Sequence, residues 1–228
     1  MEEEEGEGKR GVGLREVVVR WIDPDAWGFR GWSLLFAIAR NITSSSLPLW
    51  WELVKLLPYL LPCFTCRCCC SKFIKRNPPE KSLATPPNWL NSLRREITLR
   101  NFKSPDCNRL DRAMNLNENN ENNGIILDRF AQRLIVPSLW LMDVFIFLAC
   151  VAMTQDLTQE VARKRWISFI TLVTKLSPID LHLTPPPPFA HRSVEEVIQW
   201  ITASPKCLPQ ALLATIATVA VKLRTITK

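Results

Sequence analysis

The sequence predicts a mainly α-helical chain, and three observations lead there. Apolar residues recur at helical spacing in several segments, a capping box stands at Ser193–Glu196, and prolines such as Pro24, Pro62, Pro178 and Pro205 bound helical segments. Scarce glycine, at 7 of 228 residues, argues against a fold built on tight phosphate loops. The expected architecture has Trp-rich interfacial helices at the amino-terminal end and a disordered Asn-rich linker. A carboxyl-terminal helical bundle, or a set of membrane-embedded helices, follows. The corresponding boundaries are 1–23 (acidic tail and short helix), 24–70 (apolar helices with a cysteine cluster), 71–124 (basic, Pro/Asn-rich linker) and 125–228 (helical domain).

Element by element, MEEEEGEGKR holds five acids against two bases and reads as a solvated tail. It lacks the positive start and early apolar run of a secretory signal, and Glu2 excludes N-myristoylation. A reducing cytosol is the compartment expected from this. In LREVVVRWI, Leu14, Val17, Val18, Trp21 and Ile22 fall on one helical stripe. Asp23-Pro24 reads as an N-cap followed by proline at the first helical position, opening a helix that ends near Arg40. NITSSS is a loop. The segment Leu47–Phe64 is apolar except for Glu52 and Lys55, which share a helix face; Pro58 is expected to kink it and Pro62 to end it. At about 1.5 Å per residue it barely reaches across a hydrocarbon core, so an interfacial helix is expected, with Trp50 and Trp51 at the headgroup boundary.

Between the proline pairs of NPPEK and ATPPN and the tract NLNENNENNG, a short basic helix carries Leu90, Leu93 and Ile97 on one side. The Asn-rich tract is low-complexity and is expected to lack structure. Beyond Gly124, Leu134–Met153 is a twenty-residue apolar run broken by Pro137, Ser138 and Asp143. Its eleven Leu, Ile, Phe and Val residues outweigh one acid in insertion free energy, which fits a membrane span. The same pattern fits a core helix surrounded by others, with Asp143 turned to a partner. A further helix stops at Ser177-Pro178. LTPPPPF is extended polyproline, a rigid spacer before a capping box at Ser193–Glu196 that opens another helix. LPQALLATIATVAVKLRTITK closes the chain as an apolar helix with a basic end.

Composition narrows the function classes. The chain is 47% hydrophobic with a net charge of +7, which fits neither a wholly disordered chain nor a simple water-soluble enzyme. Residues 71–112 hold ten Lys/Arg against four Asp/Glu, most of the net charge in one stretch. An anionic membrane surface is the expected partner, with nucleic acid the less favoured one. Nine tryptophans against one tyrosine fit a coding sequence under an outside constraint, such as an overlapping frame in a compact viral genome; mutational bias explains the skew equally well.

The most informative stretch is LPYLLPCFTCRCCCSKFIKR. It puts five of eight cysteines, Cys63, Cys66, Cys68, Cys69 and Cys70, within eight positions. Zinc needs four converging ligands, and Cys63-x-x-Cys66 has no second closely spaced pair to match it. Disulfides among adjacent cysteines are geometrically poor. Buried free thiols acting as small hydrophobes are another reading. S-acylation needs exposed thiols beside apolar sequence and basic residues, and Arg67, Lys72, Lys75 and Arg76 supply the charge. Acylation of all five thiols is therefore the favoured expectation. No phosphate loop, zinc-protease or nucleophile-elbow motif is present in the sequence, and no metal or cofactor is expected. The reading is a non-enzymatic accessory or adaptor protein on the cytoplasmic face of membranes, of a viral kind that interferes with host defence. Residues 125–228 would bind a protein partner. The alternatives are a soluble basic RNA- or zinc-binding regulator, and a multi-spanning or pore-forming protein using residues 47–64, 134–153 and 208–223.

Overall fold

The computed structural model describes residues 18–22, 24–101, 137–155, 159–179, 181, 196, 199–200 and 223–227. Six helices dominate: α1 (Pro24–Arg40), α2 (Leu47–Leu60), α3 (Phe64–Arg76), α4 (Pro86–Asn101), α5 (Pro137–Thr154) and α6 (Glu160–Leu176). A short 3-10 turn at Pro79–Lys81 links α3 to α4. The chain is thus mainly helical.

Two short strands, β1 (Val18–Ile22) and β2 (Leu223–Thr227), pair antiparallel, with Val18 opposite Thr227 and Ile22 opposite Leu223. This corrects two helical expectations. Residues 18–22 are not part of a helix stripe, and residues 223–227 do not continue a closing helix. The reason lies in side-chain type: VVRWI and LRTIT are rich in β-branched and aromatic residues, which lose rotamer freedom in a helix and fit a pleated ribbon. Residues 14–17 and 208–222 lie outside the described residues.

The core forms around α5. From Asp143 to Gln155 every residue of this helix and its end is buried. Such a helix is apolar all round, so it needs neighbours on every side. α1 packs along it, β1 touches it, and Phe147 meets Trp27 of α1 and Phe169 of α6 at ring-centroid distances of 5.9 and 6.4 Å. Among the described residues no helix is long and apolar enough to cross a membrane. Of the two readings of residues 134–153, the fold realises the core helix. Asp143, 4% exposed at its side chain, lies 3.4 Å from Arg30 Nε, an ion pair supplied by α1. Arg30 is itself positioned by donating from Nη1 to Ala26 O at 2.7 Å.

Close approach of α1 and α5 depends on Gly31. A β-carbon there would stand 2.7 Å from Cε2 of Phe147, whose ring is 1% exposed and has nowhere to swing. The other helices follow amphipathic logic. α2 buries Trp50, Leu53, Val54, Leu57 and Leu60 against α3 and α6, and runs through Pro58 before stopping at Leu61. Glu52 and Lys55 form the expected pair on its outer face, 3.4 Å apart. α4 starts on Pro86-Pro87, as the missing amide donors of proline allow, and buries Trp89, Leu90, Leu93 and Ile97. α6 buries Trp166, Phe169, Ile170, Val173 and Leu176 and stops at Ser177. Glu196, Gln199 and Trp200, from the capping-box helix, are helical, and Trp200 meets Trp166 edge-on at 5.7 Å.

One core cluster therefore joins residues before and after position 124. Of the segment expected to link two regions, residues 71–101 form the rest of α3, the 3-10 turn and α4, packed on each other and on α1. The Asn-rich tract and the polyproline spacer lie outside the described residues.

Gly31→Ala is expected to cost about 1–3 kcal/mol in denaturant unfolding, the usual range for overpacking. Adding Phe147→Leu should recover part of that loss, because the two sites share one contact.

Candidate functional site

The cysteine segment folds as α3, and its periodicity divides it into two rows. Cys66, Cys69, Cys70 and Phe73 stand at i, i+3, i+4 and i+7 and are buried. Phe64, Cys68 and Lys72 run along the other side at intervals of four, with Lys75 beside them. Phe64 is 58% exposed, Lys72 and Lys75 are exposed, and Cys68 is half-buried.

The helix is fixed at both ends. Cys63 is the N-cap, and its Sγ accepts the Cys66 N–H at 3.3 Å. Pro62 carbonyl oxygen accepts the Ile22 amide at 3.0 Å, which ties the helix start to β1. At the far end Phe73 packs edge-on to Trp89, whose indole donates to Asn77 O at 3.1 Å, and Arg76 pairs with Glu96 at 2.7 Å. Arg67 points inward. Its Nε donates to Leu61 O and its Nη2 to Thr154 Oγ1 at 3.3 Å, joining α3 to the end of α5. Burial pulls the Arg67 guanidinium below its ordinary value, while the neighbouring thiols Cys63, Cys66 and Cys68 act in the opposite direction.

These placements change the expected site. Of the five thiols expected to carry acyl chains, Cys63, Cys66, Cys69 and Cys70 are at most 6% exposed and Cys68 is half-buried. A thiol turned into a protein core cannot meet an acyl donor without unfolding, and here it acts as a small hydrophobe. Of the two tryptophans expected at a headgroup boundary, Trp50 is fully enclosed and Trp51 is half-buried. Of the expected basic set, Arg67 is a structural tie and Arg76 has Glu96. Lys72 and Lys75, with Lys81 and Arg95 nearby in sequence, have no acid partner among the described residues. The exposed Phe64 was missed, although its position four residues before Cys68 was readable once the inward row was set. Among the described residues no group of three His, Cys, Asp or Glu side chains can hold a metal ion.

With this geometry in place, comparison with known proteins adds no identity: no family model, curated protein or solved structure matches the chain.

Burial also pushes two thiols away from ionisation. Cys70 is raised, by desolvation first and by Cys69 second, and Cys150 on α5 is raised from 9.0 to about 12 by desolvation. Above pH 9 the unfolded chain gives up the Cys150 proton while the folded chain keeps it. The unfolded state then binds fewer protons, so stability falls as pH rises, starting near pH 9 and levelling above about 12. The slope is up to about 1.4 kcal/mol per pH unit for one such thiol. Thermal unfolding between pH 8 and 11 should show this fall, and Cys150→Ala should lessen it while Cys70 keeps its own share.

Proposed function

We propose that the chain is a non-enzymatic adaptor that rests on an anionic membrane surface through the outward row of α3 and offers its other helices to a protein partner. The supporting observation is the composition of that row. An exposed aromatic ring, a half-buried thiol and two cations without acid partners among the described residues stand in line on a helix whose reverse side is locked in the core.

Each part has a physical role at a bilayer. Phe64 enters the headgroup boundary; full burial of such a side chain is worth about 1.5–3 kcal/mol. Lys72 and Lys75 each contribute about 1 kcal/mol near anionic lipid. An acyl chain on Cys68 adds about 0.8 kcal/mol per buried methylene, and an acyl chain with a basic patch is the two-signal arrangement that stable anchoring takes. The rigid backing of α3 matters because the row is presented without an ordering cost at the moment of contact. The partner-binding role of the carboxyl-terminal half, in a viral or host setting, belongs to the same proposal.

Flotation of the full chain with phosphatidylserine-containing and phosphatidylcholine vesicles tests this. Binding is expected to the anionic vesicles and to fall with salt. Lys72→Gln with Lys75→Gln should weaken it about 30-fold, and Phe64→Ser about tenfold. In cells, a thioester-linked label should be lost with Cys68→Ser and kept with Cys69→Ser. Equal indifference to both vesicle types, with salt-sensitive retention on RNA instead, would overturn the proposal.

A further inference from the structure

We propose that the acidic residues 2–7 occupy the lysine face of α3 and compete there with anionic lipid. The contact lies within the chain, and its consequence at a bilayer rests on the membrane reading above.

Charge is the first argument. Residues 2–7, EEEEGE, carry five carboxylates and no base. Lys72 and Lys75 are exposed, stand three apart on one face of α3, and have no acid partner among the described residues. Two acids that follow α3 in the chain are already engaged: Glu80 lies 3.8 Å from Lys55, and Glu96 lies 2.7 Å from Arg76. Glu52 and Glu160 likewise stand beside Lys55 and Lys164, at 3.4 and 2.6 Å.

Position is the second argument. Ile22 closes β1 and donates its amide to Pro62 O at 3.0 Å, directly before α3. The strand thus delivers the chain upstream of Val18 to the helix that carries both lysines. From Val18 to Lys75, along the strand and then along α3, the longest path is about 40 Å. Residues 7 to 2 stand eleven to sixteen positions before Val18, an extended reach of about 36 to 58 Å. The tether is long enough to bring the carboxylates to the lysines. It is short enough to hold them at an effective concentration on the order of millimolar.

A tethered competitor sets a threshold. Exposed ion pairs are individually weak, so the segment can be displaced. A zwitterionic surface offers no net negative charge to displace it, whereas a surface rich in anionic lipid does. The lysine face then opens only where the lipid is charged.

The test has two arms, both on the full chain. In solution, a water-soluble carbodiimide joins carboxylates to amines in contact, and trypsin with mass spectrometry locates the links. Links from residues 2–7 should favour Lys72 and Lys75 over Lys55, Lys164 and Lys175, and should fade when phosphatidylserine vesicles are added. For flotation at low salt, Glu2, Glu3, Glu4, Glu5 and Glu7 are all replaced by Gln. Binding to phosphatidylserine vesicles should tighten about tenfold, with no change on phosphatidylcholine. The same replacement in a Lys72→Gln, Lys75→Gln chain should give no gain, because the face it would uncover is gone. An equal gain in that background would reduce the effect to net charge and overturn the proposal. Links spread evenly over the lysines would overturn it too. Links to Lys72 and Lys75 without binding to either vesicle would uphold the contact and sink the membrane reading instead.

Discussion

The fold depends on enclosing α5. Its 18 residues rise about 27 Å and, from Asp143 onward, leave no side open to water. A helix with no polar face cannot be stable at a protein surface, so every other element is placed by its need for cover. α1 comes close enough to touch because Gly31 leaves room for the Phe147 ring. The one acid on α5 is answered by Arg30 from the same neighbour, which matters because an unpaired buried carboxylate costs several kcal/mol. Arg67 then reaches from α3 to the end of α5 through Thr154, so the cysteine helix is tied to the same centre.

That tie determines what α3 can present. With Cys66, Cys69, Cys70 and Phe73 committed to the core, the opposite row is left to solvent, and it carries Phe64, Cys68, Lys72 and Lys75. A cluster that looks uniform in sequence is thus three chemical environments in space. The inner thiols behave as compact apolar side chains, Cys68 is half-buried, and the N-cap pair Cys63 and Cys66 lies under the electrostatic influence of Arg67. The division decides which members of one short segment meet solvent and which meet the core.

Much of the helical order was legible in the sequence. Pro24 at the start of α1, the NITSSS break, the Leu90–Leu93–Ile97 side of α4 and the stop at Ser177-Pro178 all mark elements that form. These signals are local, and local physics decides them. The strand pair was not legible because Val18–Ile22 and Leu223–Thr227 lie some two hundred positions apart, and each alone also suits a helix face. The direction of the thiols was hidden for a different reason. Cysteine is both a reactive group and a small hydrophobe, and reading the cluster as chemistry obscured the i, i+3, i+4, i+7 pattern that Cys66, Cys69, Cys70 and Phe73 display. Arg30 as the partner of Asp143 required the α1–α5 contact, which no spacing in the sequence encodes.

The cysteines are reporters for both enclosed helices, which makes residue-resolved thiol labelling of the reduced native chain the most direct test. A maleimide should reach Cys68 at close to the rate of a free thiol. Cys69, Cys70 and Cys150 should lag by about a thousandfold or more until denaturant is added, because reaching them requires opening the core. Equal labelling of Cys68, Cys69, Cys70 and Cys150 in the folded chain would contradict the inward row, the buried α5 and the site built on them.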